Sequence, residues 1–118
     1  MDKIDKDKIE KIISDREKAH QILISKASKV YKSFLDLERN TFSDGVLKKV
    51  YKELIALGIS VVINCESCIE WHIKEALKNS ATEQQIIEAI EVGIEMGGGP
   101  ATVSSRFALK VLEYYKNS

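Results

Sequence analysis

Cys65 and Cys68 are the only cysteines in the chain, and His72 stands four residues beyond the second. If Cys65 to Leu77 is helical, the three side chains fall within an arc of about 60°, at 100° per residue. Two thiols and an imidazole then share one face at the start of a helix. Free amides and the helix dipole stabilise a thiolate there. A second thiol one turn away can trap an oxidised sulfur as a disulfide, and a histidine one turn further can pass protons near neutral pH. The chemistry indicated is that of a peroxide-reducing or disulfide-exchanging dithiol. Two other readings use the same residues. Two cysteines and a histidine are three good zinc ligands, but a structural zinc site needs a fourth and there is no second cysteine pair. The pair could also be core cysteines beside a surface histidine, because cysteine is often buried. Haem attachment requires a histidine directly after the second cysteine, and Ile69 stands there.

The rest of the chain must position these groups. Its 118 residues suit one domain. Lys plus Arg equals Asp plus Glu at 18 each, so the basic excess of a nucleic-acid binder is absent. The 44% hydrophobic content is that of a folded chain, not a disordered one. The single proline and six glycines favour long helices over an all-β domain rich in turns. Met1 to Lys8 is highly charged and carries no apolar run of a secretory signal. The most apolar stretch, Leu54 to Ile63, falls short of the roughly 20 residues of a membrane span. These features predict a cytoplasmic protein without membrane attachment. In that setting a Cys-x-x-Cys pair, which closes too small a loop to staple a fold, points to redox or metal chemistry.

Ile4, Ile9, Ile12 and Ile13 predict a short amphipathic helix within residues 1–18. Ala19, Ile22, Leu23, Ala27, Val30, Phe34 and Leu37 predict a second, from about Asp15 to Leu37, and Asn40 to Gly45 is a polar break. A third helix is expected from near Val46, capped by Ser43 or Asp44, with Leu47, Val50, Leu54, Leu57 and Val61 on one face. The β-branched Ile59–Ile63 run at its end also fits a buried strand. Asn64 is the expected N-cap of the cysteine-bearing helix, which Asn79 to Ala81 closes. Thr82 and Gln85 have capping-box spacing before the face of Ile86, Ile87, Ala89, Ile90 and Ile94. Gly97 to Gly99 should end that helix, with Pro100 in the first turn of the last. A strand feeding Cys-x-x-Cys suggests a thioredoxin-like fold, but residues 83–97 and 101–116 read as helices, which leaves no sheet. Trp71 is expected in core or interface packing, His20 at the surface, and Tyr114 and Tyr115 in packing of the last helix.

Residues 46–116 resemble the AhpD-like branch of the carboxymuconolactone decarboxylase superfamily. The matching pattern runs from Lys52-Glu53-Leu54-Ile55-Ala56-Leu57 through Cys65-x-x-Cys68-x-x-x-His72 and Ala76-Leu77. It continues in Ala81-Thr82-Glu83, Glu88-Ala89 and Met96-Gly97-Gly98-Gly99-Pro100. Residues 1–40, read as N-terminal helices, match only loosely. The resemblance implies an all-α, single-domain helical bundle that assembles into trimers or hexamers. It also implies thiol-dependent alkyl hydroperoxide or disulfide reductase activity, with an external dithiol as electron donor and no cofactor or metal. By position, Cys68 is implied to attack the peroxide and Cys65 to resolve it, while His72 relays a proton, through water, to Glu53. Composition alone makes Glu53 one more solvated charge. The best-known peroxidase members carry a histidine directly before the second cysteine; this chain has Ser67, which cannot titrate near neutral pH. The superfamily's decarboxylases lack the cysteine pair, so decarboxylation is not expected. The alternative of another class is a non-catalytic oligomeric binding protein with a zinc or structural Cys/His site.

Overall fold

The computed structural model describes residues 1–117. They form six helices: α1 (Lys3–Ser25), α2 (Lys29–Thr41), α3 (Lys49–Val62), α4 (Glu66–Lys78), α5 (Glu83–Gly97) and α6 (Gly99–Lys116). No strand occurs among the described residues. The all-α single domain agrees with the sequence, and Ile59–Val62 lies in α3, not in a strand.

The core is built from the apolar faces of α3 to α6. Leu57 and Val61 of α3, Ile69 and Ile73 of α4, Ile86 and Ile90 of α5, and Ala108 and Val111 of α6 are buried. Alone among α1 residues, Ile9 joins them. α3 lies at the centre, packed against α4 and α5. Two glycines set its approach to α5: a Cβ on Gly93 would stand 2.9 Å from the Gly58 carbonyl oxygen and 3.0 Å from Val61 Cβ. Substitution there must move one helix or the other, because both contacts are backbone or branched side chain.

Three helices end in the same hydrogen-bonded device, and none uses glycine. After α1, Ala27 takes φ 52°, its N–H donates to the Ile24 carbonyl, and the Ser28 N–H donates to the Leu23 carbonyl. After α3, Asn64 takes φ 54°, with the Asn64 and Cys65 N–H groups on the Val61 and Ser60 carbonyls. After α4, Ser80 takes φ 72°, with the Ser80 and Ala81 N–H groups on the Leu77 and Ala76 carbonyls. Each is a Schellman motif, in which a left-handed residue satisfies the last carbonyls.

The first of these corrects the expected helix boundary. α1 runs through residue 18 without a break, and the turn falls at 26–28, inside the span predicted as one helix from Asp15 to Leu37. The Ser28 side chain caps α2 by accepting from Tyr31 N at 3.1 Å. The α2 face of Val30, Phe34 and Leu37 is exposed and meets no core in the single chain. α3 starts at Lys49, later than expected, with Lys48 as N-cap; Asp44 still serves that end by accepting from the Lys49 N–H at 2.7 Å. The Thr82–Gln85 capping box forms in both directions, and Pro100 sits in the first turn of α6.

Candidate functional site

The second Schellman motif delivers Cys65. Asn64 is the left-handed terminator of α3 and not, as expected, the cap of α4. Its side-chain carbonyl accepts from the Ser104 hydroxyl at 3.0 Å, which fixes the corner to α6. Cys65 therefore follows a rigid helix end and itself caps α4, its sulfur accepting from the Cys68 N–H at 3.2 Å. Cys68 lies in the first turn of α4. The two residues are joined by a disulfide, with Cα atoms 5.2 Å apart. Both are partly accessible.

Glu53 and His72 come together from α3 and α4. Glu53 is 1% exposed. One of its carboxylate oxygens meets His72 Nδ1 at 2.7 Å, and the other accepts from Lys49 Nζ at 2.8 Å. Burial pushes the Glu53 carboxyl upward, but the hydrogen bonds and charges of His72 and Lys49 outweigh it and hold the group below its ordinary range. Lys49 is the mirror case. Its partial desolvation opposes the ammonium, yet Glu53 and Glu75 raise it above the usual lysine range. Phe42 lies against the imidazole, ring centroids 5.3 Å apart. Beside this pair a cavity of about 550 Å3 is walled by His20, Phe42, Lys49, Glu53, Trp71 and Glu75. His20, expected at the surface, is half-buried, with Nδ1 2.6 Å from the Tyr31 hydroxyl. Trp71 is half-buried and carries the Lys74 ammonium over its ring, 4.0 Å from the centroid.

Lys49 was not foreseen as part of the site, although its position four residues before Glu53 is a readable ion-pair spacing. Arg16, Glu70 and Tyr115 were also missed. Glu70 on α4 is fully buried, ion-paired with Arg16 of α1 and bonded by the Tyr115 hydroxyl of α6. These partners lie tens of residues apart, so no local pattern announces them. Tyr115 thus does more than pack, and α1 is more than a solvated face. Among the described residues no three His, Cys, Asp or Glu side chains are grouped so as to hold a metal ion.

A sequence model described as the carboxymuconolactone decarboxylase family matches residues 28–111. The chain belongs to this family. Among curated relatives, an uncharacterised protein of the cox locus of Paracoccus denitrificans is 44% identical over 81 residues, covering 69% of this chain and 73% of the relative. An alkyl hydroperoxide reductase AhpD from Corynebacterium kroppenstedtii is 28% identical over 64 residues, covering 54% of this chain and 37% of that protein. The crystal structure of a carboxymuconolactone decarboxylase family protein from Legionella pneumophila superposes with a TM-score of 0.87 at 29% identity, covering 92% of this chain and 97% of that one. A family member from Thermotoga maritima gives 0.82 at 26% identity, covering 91% of each chain. The all-α fold is thus the family's fold. No helix among the described residues is long and apolar enough to cross a membrane.

Proposed function

We propose that the protein is a thiol-dependent oxidoreductase that reduces alkyl hydroperoxides or disulfides through Cys65 and Cys68. The observation that carries this reading is a cysteine pair at disulfide distance at the N-terminus of α4, one turn before a histidine bonded to a buried carboxylate.

In the reduced protein the Cys68 thiolate, at the positive end of the helix, attacks the terminal oxygen of a hydroperoxide. The O–O bond breaks, an alcohol leaves with one added proton, and the sulfur becomes a sulfenic acid. Cys65 attacks that sulfur, the S–O bond breaks, and water leaves as the disulfide closes. An external dithiol then returns two electrons and two protons by thiol–disulfide exchange. His72 moves the proton needed by the departing oxygen, and Glu53 holds the imidazole in place through the hydrogen bond at Nδ1. Lys49 keeps Glu53 ionised despite burial. Resemblance to the AhpD-like branch supports the same roles for Cys68, Cys65, His72 and Glu53.

The protein works as a homo-oligomer, a trimer or hexamer, in a cytoplasmic setting. Support for assembly comes from an apolar groove of about 660 Å3 between α3 and α5, with Tyr51, Ile55, Ile59, Val92 and Met96 among its lining. It contains none of the four site residues, so it suits assembly and not the chemistry. Exposed apolar patches of that kind mark interaction surfaces.

The test is dithiothreitol-supported consumption of an organic hydroperoxide. Cys68→Ser is expected to abolish it, and Cys65→Ser, oxidised with no dithiol present, to stop at the Cys68 sulfenic acid. Full turnover in Cys68→Ser would overturn the assignment.

A further inference from the structure

We propose that Arg16 is a positioning residue for the cysteine pair: its guanidinium pins the first turn of α4 in the geometry in which Cys65 and Cys68 close into a disulfide. The inference rests on the dithiol reading above and adds to it a role for the N-terminal helix.

The contacts bracket Cys68. Arg16 Nη2 donates to the Ser67 carbonyl oxygen at 2.9 Å and to the Ser67 hydroxyl at 3.0 Å. The Nη1 end is ion-paired with Glu70. One guanidinium therefore grips the residue before Cys68 and the residue two after it. The first turn of a helix is where its hydrogen bonds are fewest and where it frays most easily. Ser67 is exposed and lies between the two cysteines, so Arg16 adds a contact from another helix to the local cap that Cys65 supplies.

The clamp is itself anchored. Arg16 lies over the Trp71 ring, 5.1 Å from the centroid. Glu70 is fully buried, and its second oxygen accepts from the Tyr115 hydroxyl of α6. Arg16 thus reaches Ser67 from α1, and the buried Glu70 that pairs with it is held in turn by α6. Only the planar fork of arginine reaches both partners at once; the point charge of lysine cannot. The tendency of two thiols to pair depends on how well the fold holds them in mutual reach. Releasing the turn lowers that effective concentration.

The experiment is equilibration of the full chain with mixtures of reduced and oxidised dithiothreitol, read by alkylation and intact mass. In this exchange the Cys65–Cys68 bond breaks and dithiothreitol closes its own ring disulfide. Its two hydrogens end on the cysteine sulfurs, so the pair gains two electrons and the reagent loses two. Arg16→Gln combined with Glu70→Gln removes the clamp without stranding a buried charge. This double variant is expected to hold its disulfide about tenfold less tightly than wild type, about 30 mV for the two-electron couple. Arg16→Lys and Ser67→Ala each keep part of the contact set and are expected to shift the equilibrium about threefold. They carry the test alone should the double variant not fold. A purely structural arginine would lower the melting temperature and leave the redox equilibrium in place. Folded variants all within twofold of wild type would overturn the proposal while leaving the dithiol reading standing. A wild-type pair that exchanges with dithiothreitol at no ratio would bring down both.

Discussion

Replacing Glu53 by glutamine separates a catalytic relay from an incidental buried ion pair. The amide has nearly the shape of the carboxylate, so the cavity stays filled, but only one of its two ends accepts hydrogen bonds. Lys49 and His72 both donate to Glu53, so one of them must face an NH2 group. A hydrogen bond to a charged group is worth about 1.5–3 kcal/mol. The side chains of Lys49 and His72 are 28% and 14% exposed, so the displaced donor can reach water and the cost stays near the lower half, about 2 kcal/mol. For a domain of this size that lowers the melting temperature by roughly 8 °C. The pH dependence follows from the carboxyl's lowered position. As pH falls, the unfolded chain takes up the Glu53 proton first, near the ordinary value of 4.5. The stabilisation is complete above that value and is lost as pH falls through the folded one. The wild-type and Glu53→Gln stability curves should therefore converge in acid and separate toward neutrality. Peroxide turnover should drop about 100-fold, the lower end for proton transfer, because Glu53 acts through His72. Denaturant melts at several pH values and dithiothreitol-supported hydroperoxide assays check both arms. Turnover within about threefold of wild type would refute a relay through Glu53, whatever the stability change.

Other expectations concern the frame. Gly93→Ala should destabilise the fold by about 1–3 kcal/mol in urea melts, because its Cβ meets the α3 backbone; the gain in helix propensity is smaller than that. Ala27→Gly should do the opposite and stabilise by about 0.5–1 kcal/mol, since Ala27 is held at positive φ. Tyr115→Phe should cost about 1.5–3 kcal/mol in the same melts by taking a donor from Glu70. In a spectrophotometric titration the Tyr115 phenol should ionise well above the ordinary 10 of tyrosine, raised by burial, its hydrogen bond to Glu70 and that charge.

The helical core was legible because apolar periodicity, the Thr82 capping box and the glycine-proline stop are local signals. The α1–α2 turn was not. The apolar spacing runs through it, and the left-handed position is filled by Ala27, where a glycine would have marked the stop. The same physics moved Asn64 from cap to terminator: asparagine suits both a helix N-cap and a left-handed C-terminal position, and only the tertiary path decides. Within the site, Cys68 and His72 lie one turn apart in α4 and Cys65 is its N-cap, so their nearness along the chain could be read from spacing alone. Glu53 emerged only through resemblance, since its burial depends on α4 packing over α3. Arg16, Glu70 and Tyr115 come from three helices and left no sequence trace. The exposed Val30, Phe34 and Leu37 show the same limit: periodicity identifies an apolar face but not whether its own chain covers it.

The most direct test of the redox-pair account is the intact mass of reduced protein before and after one equivalent of an organic hydroperoxide. The account predicts a rapid loss of about two mass units in wild type, the hydrogens given up as the Cys65–Cys68 disulfide closes. Cys68→Ser should not react, and Cys65→Ser should gain the mass of one oxygen. An unchanged wild-type mass, or a Cys68→Ser variant oxidised as fast as wild type, would contradict it.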